Sequence, residues 1–199
     1  MNKRSGIASK ERILKAATKV FSEHGYEKSS MRMIAKASHI SIGGLYLYFK
    51  NKEDLYLTLI KFRMDDYLDK LIKELSAIQD PVAQLRTYIS MSLNYAKKYK
   101  ELLLIKGREL GLTSGIDIKR KFFRRQKRLV EEIIQRGITS GVFREYNVVE
   151  ATKVIRSAIR GFIVSMIIEE DALFSPEECS KLILHGLIRR ERKGSNAKH

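Results

Sequence analysis

Residues 39–49 read HISIGGLYLYF, a short segment whose groups suit contact with a polyanion. Tyr46 and Tyr48 carry hydroxyl groups that can donate hydrogen bonds to phosphate oxygens. Gly43 and Gly44 have no side chain, so the backbone around them can approach a bound molecule closely. If a helix begins just before these glycines, its first amide groups also attract an anion. The segment therefore predicts a binding surface.

Two short helices joined by a turn at residues 38–41 are predicted to hold this segment. Ser29 or Ser30 caps the first helix, and Ser41 caps the second. Packed on a preceding helix that ends at Gly25, such a pair forms a helix-turn-helix. This motif places the N-terminal residues of its second helix in the major groove of DNA.

The second helix, predicted over residues 42–49, has faces with different roles. Leu45 and Phe49 are four residues apart and are expected to pack inward. Tyr46 and Tyr48 lie on other faces and stay available to DNA. The tyrosines are therefore predicted to contact the phosphate backbone rather than the core.

Apolar residues recur three and four positions apart along the rest of the chain, which is typical of helices. The predicted fold is all-α, with a three-helix DNA-binding domain at residues 1–50 and a larger helical domain at residues 51–199. One helix is expected over residues 148–168. Capping residues predict where others begin: Ser9, Asn51, Asp80–Pro81 and Ser175–Pro176.

The segment SSMRMIAKASHISIGGLYLYFKNKEDL resembles the N-terminal DNA-binding motif of the TetR family of transcriptional regulators. The likeness extends from about Glu11 to Leu55. It keeps many positions in one register: Ile34–Ala35, Ile40–Ser41, Gly43, Leu45–Tyr46, Tyr48–Phe49 and Lys52–Glu53. The rest of the chain matches in the number and layout of its helices, and at Gly137, Gly141 and Phe143.

The resemblance implies a protein of about nine helices that binds DNA as a homodimer. The larger domain would bind a small, largely apolar molecule and form the dimer interface. Ligand binding would change the separation of the two recognition helices and release a palindromic operator, as expected of a repressor. By position, Tyr46, Tyr48 and Lys52 would contact phosphate, and the full set of DNA-binding residues would be Ser30, Arg32, Ile42, Gly43, Gly44, Tyr46, Leu47, Tyr48 and Lys52.

Several positions depart from the family pattern. His39 stands where glycine is usual, and we predict that it is a left-handed turn residue rather than a base reader. Ile42, Gly44 and Leu47 stand where polar or small residues are common, so the helix offers few side chains for bidentate base contacts. We hypothesise that Ile42 or Leu47 contacts thymine methyl groups, while backbone contacts and DNA shape supply the remaining preference.

The last two predicted helices carry an apolar surface wider than one core requires, which favours a dimer interface. Its predicted members are Ile155, Ile159, Ile163, Leu182, Ile183, Gly186 and Leu187. Six other residues mix rings, hydroxyls and sulfur in a way that suits an apolar ligand pocket, although each alone fits plain core packing better. They are Phe62, Tyr88, Met91, Tyr95, Phe122 and Phe162.

The 199-residue chain has a formal net charge of +16, which suggests an anionic partner. The alternative that this charge leaves open is a general basic protein that binds nucleic acid or a membrane surface. Four histidines and the single Cys179 provide no metal-ligand spacing and no nucleophile–base pair, so we expect neither an enzyme nor a cofactor or metal. A lone cysteine, without an apolar leader or membrane span, favours the cytoplasm.

A basic run, KRKFFRRQKR, occupies residues 119–128 and has seven Lys or Arg residues. We interpret it as a solvated helix face, with extra contact to DNA or to an anionic ligand as the alternative. The run flanks an apolar stripe predicted at Phe123, Leu129 or Val130, Ile133 and Ile134.

Overall fold

The computed structural model describes residues 3–99, 115–168 and 175–188, and the regular elements in these ranges are helices. The all-α prediction is confirmed by the eight helices of these ranges. The total of about nine was predicted for the whole chain, which includes residues 100–114, outside the described part. The helices are α1 (Lys3–Lys28), α2 (Met31–Ala37), α3 (Ile42–Tyr46), α4 (Lys52–Ser76), α5 (Pro81–Lys98), α6 (Ile116–Thr139), α7 (Val148–Ile168) and α8 (Pro176–Leu187).

Five helices begin at the capping residues that the sequence indicated. In each of them a side-chain oxygen accepts a hydrogen bond from the backbone amide three residues later, at 2.8 to 3.4 Å. This bond gives a partner to an amide that the first turn of a helix leaves unpaired. The caps are Ser30 for α2, Ser41 for α3, Asn51 for α4, Asp80 for α5 and Ser175 for α8.

Two predicted boundaries in the N-terminal part are wrong. α1 begins at Lys3 rather than at Ser9, because a serine cap is worth only about 1 kcal/mol and does not prevent an earlier start. α3 ends at Tyr46 rather than near Phe49. After it the chain tightens into one turn, in which two successive amides share the carbonyl of Leu45.

Among the described residues, 3–70, 95–99 and 115–124 form one compact unit, which contains the helix-turn-helix, and the domain division predicted at residue 50 stays a prediction. α1 has a break at Gly25, where φ is 73°, so the stop predicted at this glycine is present. Three rings pack beside one another near this break, with centroids 5.2 to 5.6 Å apart: Phe21, Tyr26 and Tyr56. Further buried residues of this unit are Ile13, Leu14, Ala17, Ile34, Leu45, Phe49, Leu55 and Leu59.

Among the described residues, 71–94, 125–168 and 175–188 form the second compact unit. Gln84 closes the end of α4, because its side-chain amide donates to the carbonyls of Leu75 at 2.8 Å and Ile78 at 2.7 Å. These carbonyls belong to the groups that the last turn of a helix leaves unpaired. The buried apolar residues of this unit include Leu85, Ile89, Val130, Ile133, Ile134, Phe143, Ile155, Ile159, Leu184 and Leu187.

The basic run at residues 119–128 lies on α6, and none of its seven Lys and Arg residues is buried. This exposure fits both the interpretation of the run as a solvated helix face and its alternative, contact with DNA or an anionic ligand, so the role of the run stays a prediction. The apolar stripe differs from the prediction at one position, because Phe122 is buried and Phe123 is exposed. Phe122 precedes the buried Gln126 by four residues and Val130 by eight, whereas Phe123 is turned away from that face by about 100°.

Candidate nucleic-acid interface

The turn between α2 and α3 is held by backbone bonds and one buried hydroxyl. The Ser38 hydroxyl donates to the carbonyl of Ile34 at 2.7 Å. His39 is exposed and has a φ of 55°, so its predicted role as a left-handed turn residue is confirmed. The amide of Ile40 donates to the carbonyl of Ala35 at 3.1 Å and closes the turn. These bonds set the direction in which α3 leaves α2.

α3 and the turn after it have a buried side and an exposed side. Leu45 and Phe49 are buried, as predicted. Ile42 is 40% exposed, Tyr46 53% and Leu47 82%. Large side chains with apolar surface, exposed together on so short a segment, are typical of a surface that meets a partner.

The two glycines of α3 have different surroundings. A β-carbon at Gly43 would meet no atom within 4 Å, so this position faces open space. At Gly44 a β-carbon would lie 3.1 Å from the hydroxyl oxygen of Ser41, which caps the helix. Gly43 therefore leaves room for an approaching molecule, whereas Gly44 also leaves room for the cap.

Three other predicted DNA-binding residues flank this surface. Ser30 is exposed, and its hydroxyl accepts a hydrogen bond from the amide of Met33 at 3.2 Å, so the hydroxyl serves as the cap of α2. Arg32 is exposed in the first turn of α2. Tyr48 is half-buried, with its ring centroid 6.5 Å from that of Phe49.

Lys52 has an environment that the sequence did not indicate. Its ammonium donates to the carbonyls of Tyr26 at 2.8 Å, Glu27 at 3.4 Å and Ser29 at 3.2 Å. The nitrogen also lies 4.2 Å from the centre of the Tyr26 ring. An ammonium has three N–H donors, and these carbonyls can accept all three. Lys52 thereby ties the first turn of α4 to the chain at the end of α1.

Arg63 makes a second link between α4 and α1, one that no sequence pattern indicated. Its Nε and Nη2 donate to the hydroxyl of Thr18 at 3.2 and 2.7 Å. The guanidinium carbon lies 5.5 Å from the centre of the Tyr99 ring, within the range of a cation–π contact. Arg63 and Thr18 are 45 residues apart, and a pattern read over a few helical turns cannot find such a pair.

The six predicted pocket residues divide between the two compact units, and their role in ligand binding stays a prediction. Tyr95 and Phe122 flank Tyr67, whose ring centroid lies 4.4 and 6.0 Å from theirs. Burial raises the pKa of the Tyr95 hydroxyl. The first unit holds Phe62, Tyr95 and Phe122, and the second holds Tyr88, Met91 and Phe162.

The predicted dimer-interface residues do not all face outward from the single chain. Part of the apolar surface of α7 and α8 serves the core of the second unit, and the residues buried there are Ile155, Ile159 and Leu187. Leu182 is 73% exposed and Gly186 is exposed, whereas Ile163 and Ile183 are half-buried. Val154 and Val164, which the sequence reasoning did not name, are also exposed on α7, and the dimer interface stays a prediction.

The described residues lack the features of two other kinds of site. None of their helices is long and apolar enough to cross a membrane. Within the same ranges, no three His, Cys, Asp or Glu side chains are grouped so that they could hold a metal ion. Cys179 is buried, and burial raises the pKa of its thiol, which disfavours the reactive thiolate.

Known proteins similar in sequence are bacterial regulators. Residues 13–59 match the family described as "Bacterial regulatory proteins, tetR family". The fatty acid metabolism regulator protein of Bacillus subtilis (strain 168) is 29% identical over 136 residues, which cover 67% of this chain and 70% of that protein. The family match includes the helix-turn-helix register noted above.

Solved structures with a similar fold extend the likeness over most of the chain. The transcriptional regulator FadR from Bacillus subtilis in complex with stearoyl-CoA has a TM-score of 0.71 at 24% identity, covering 88% of this chain and 95% of that one. AibR in complex with isovaleryl coenzyme A and operator DNA has a TM-score of 0.63 at 20% identity, covering 90% and 98%. At these identities the likeness concerns the fold.

Proposed function

The chain belongs to the TetR family of transcriptional regulators, and we propose that it is a cytoplasmic repressor that an acyl-CoA releases from DNA. Two copies bind a palindromic operator, and each places α3 in the major groove. The observation that carries this proposal is the exposed side of α3, held by the Ser41 cap and by the two buried side chains Leu45 and Phe49. A reading helix must be fixed in this way if its outer side is to select a sequence.

The contacts that we propose with DNA are of two kinds: contacts to phosphates, which position the helix, and contacts to bases, which recognise the sequence. Tyr46 and Tyr48 donate their hydroxyls to phosphate oxygens and position the helix. Gly43 admits the backbone to the groove, and Ile42 or Leu47 meets thymine methyl groups. The exposure of Ile42, Tyr46 and Leu47 and the open space at Gly43 support this division.

We assign the dimer interface to the outward faces of α7 and α8. Val154, Val164 and Leu182 are exposed there in the single chain. A β-carbon at Gly161 or Gly186 would meet nothing within 4 Å, so a second copy can come close at both glycines. A two-fold dimer then implies an operator whose halves are related by the same symmetry.

An acyl-CoA suits the effector role for two reasons. Its apolar chain matches the ring-rich set of pocket candidates, and its anionic head matches a chain with a net charge of +16. The relative in Bacillus subtilis is named as a regulator of fatty acid metabolism, and two neighbours of similar fold were solved with acyl-CoA ligands. These names support the choice of probe.

The experiment is selection of bound DNA from a random pool, followed by release with isovaleryl-CoA, decanoyl-CoA and stearoyl-CoA. We expect a palindromic sequence to be enriched, and one chain length to release it at the lowest concentration. Random DNA should compete poorly with the selected site, although salt weakens the binding of both.

Two results would contradict different parts of the proposal. Equal competition by random DNA would favour the general basic nucleic-acid-binding protein that the charge also suggests. If a palindrome is selected but none of the acyl-CoAs releases it, the proposal of a DNA-binding regulator stands and the proposed class of effector is wrong.

A further inference from the structure

A polar cluster lies in the core of the second unit, and its residues come from α5, α6 and α7. The buried hydroxyl of Tyr88 donates to the side-chain carbonyl of Gln126 at 3.3 Å. The same hydroxyl accepts hydrogen bonds from Arg156 and Ser92. Burial raises the pKa of Tyr88, so the hydroxyl is neutral and keeps its proton for donation. Polar groups are thus concentrated at one point of an apolar core.

Arg156 brings a positive charge into this cluster. The residue is only 9% exposed, and removing a guanidinium from water costs several kcal/mol unless opposite charge is near. Glu131 attracts it, but Glu131 also pairs with Lys127 at 3.3 Å. Arg160, one turn further along α7, adds a second positive charge that acts on Arg156. Arg156 is therefore a largely buried cation, and the interaction of an anion placed beside it would be strengthened by the low local dielectric constant.

Thr152 supplies a second and independent observation. It lies four residues before Arg156, on the same face of α7, and is 1% exposed. Among the residues that the structure describes, its hydroxyl oxygen has no hydrogen-bond partner. Most buried hydroxyls have a partner, and leaving one without any costs about 1 to 3 kcal/mol. A bound ligand that hydrogen-bonds here would remove this cost.

We propose that Arg156, Tyr88 and Thr152 form a subsite for an oxyanion of the effector, a carboxylate or a phosphate. The guanidinium donates to the oxyanion, and the two hydroxyls complete its coordination by donating as well. Ile155 and Ile159 are buried at neighbouring positions of α7 and provide apolar surface beside it. This inference rests on the proposed function, because it names the part of the chain that recognises the acidic end of an acyl effector.

The test uses three variants of the full-length protein, Thr152→Val, Tyr88→Phe and Arg156→Gln. Binding is measured by calorimetry with decanoyl-CoA, stearoyl-CoA, the two corresponding free acids and CoA alone. Thr139→Val and Arg128→Gln are the matched controls, because both residues are exposed on α6. Thermal unfolding and operator affinity without effector are measured for every protein.

Thr152→Val is the decisive variant. Valine has nearly the shape of threonine and removes the hydroxyl that has no partner, so the protein should unfold at the same or a higher temperature. The affinity of this variant for the probe that carries the recognised oxyanion, a free acid or a CoA compound, should nevertheless fall about tenfold. Tyr88→Phe should lose a similar factor and Arg156→Gln about a hundredfold, while both controls and all operator affinities stay unchanged.

The outcomes separate the subsite from the proposed function. Loss of affinity for the free acids would identify a carboxylate, and loss confined to the CoA probes would identify a phosphate. Wild-type affinity in Thr152→Val and Tyr88→Phe would overturn the subsite and leave the acyl effector standing. If the wild-type protein binds none of the probes, the effector class and the subsite both fail, although operator binding persists.

Discussion

Lys52 shows at the scale of one residue how a fold changes the role of a charged side chain. The family resemblance assigned its ammonium to phosphate, and that contact remains a prediction. The structure surrounds the ammonium with three backbone carbonyls and one aromatic ring at the end of α1. These two roles have different consequences for stability and for salt dependence, so they can be separated.

We expect Lys52→Met to lower the free energy of unfolding by about 1 to 2 kcal/mol, because hydrogen bonds from a charged group are lost. Thermal unfolding measures this loss, and Lys50→Met, at an exposed neighbour, should stay within about 0.5 kcal/mol of wild type. A phosphate contact would instead reduce the slope of operator affinity against salt by about one per contact. An unchanged unfolding temperature with a smaller slope would rule out the structural role.

Ile42 and Leu47 are the exposed apolar side chains of the reading surface, and thymine is the base that offers a methyl group to them. Replacing a contacted thymine by uracil should weaken operator binding roughly fourfold, since one buried methyl group is worth about 0.8 kcal/mol. Fluorescence anisotropy with singly substituted operators measures the effect. Leu47→Ala should abolish the effect of uracil at one of the thymine positions. If uracil has no effect at any position, the proposed methyl contact is wrong.

At the scale of elements, the corner that joins α6 to α7 depends on two glycines, Gly137 and Gly141. The amide of Phe143 donates to the carbonyl of Gly137 at 2.8 Å, and the Phe143 ring covers the position where a β-carbon would stand. Gly141 has a φ of 72° and reverses the chain between them. The carbonyl of Leu187 then accepts from the amide of Arg144 at 2.9 Å, which joins the corner to the end of α8.

Gly137→Ala should lower the free energy of unfolding by about 1 to 3 kcal/mol, because its β-carbon and the Phe143 ring cannot occupy the same space. Gly43→Ala is the matched control, since nothing lies within 4 Å of the added carbon. Chemical denaturation measures both proteins. The control should keep wild-type stability and bind the operator more weakly, and equal stability of the two variants would contradict the packing argument.

At the scale of the whole molecule, the outward faces of α7 and α8 should set the oligomeric state. Leu182→Glu places a charge on the most exposed apolar side chain that the structure describes on these helices, and we expect it to convert the proposed dimer to a monomer. Sedimentation equilibrium measures this change, and operator affinity should fall at least tenfold with it. Leu47→Glu should lose operator binding and remain dimeric, whereas a dimeric Leu182→Glu protein would place the interface elsewhere.

Global stability should also depend on alkaline pH through two buried tyrosines. Burial is the largest cause of the raised pKa at both Tyr88 and Tyr95, so the folded protein retains protons that the unfolded chain releases above about pH 10. Their contribution is therefore fully present below pH 10 and is lost as the pH rises beyond it, by up to about 1.4 kcal/mol per pH unit for each group.

Denaturation between pH 8 and pH 11 measures this dependence in wild type and in a Tyr88→Phe, Tyr95→Phe double variant. The double variant should lose less stability above pH 10 than wild type. Parallel slopes in the two proteins would show that other groups dominate.

Much of the fold and the α3 surface could be predicted because the signals involved are local. A serine, asparagine or aspartate acts on the amide three residues later, and five of the six predicted caps are present, Ser9 being the exception. Four-residue spacing was enough to place Leu45 and Phe49 inside and Tyr46 outside. The same kind of spacing misplaced Phe123, because neighbouring phenylalanines differ only in which face the rest of the fold covers.

Contacts between residues that are far apart in the sequence could be identified only from the tertiary structure. The bonds from Lys52 and Arg63 to the chain around α1 join residues up to 45 positions apart, and packing alone brings them together. Ile155 and Ile159 have the composition of an interface, yet they are buried in the core of their own chain. Local chemistry therefore determines where helices begin and which side of α3 is free, whereas the use of an apolar face or a long cationic side chain is decided by what the folded chain places against it.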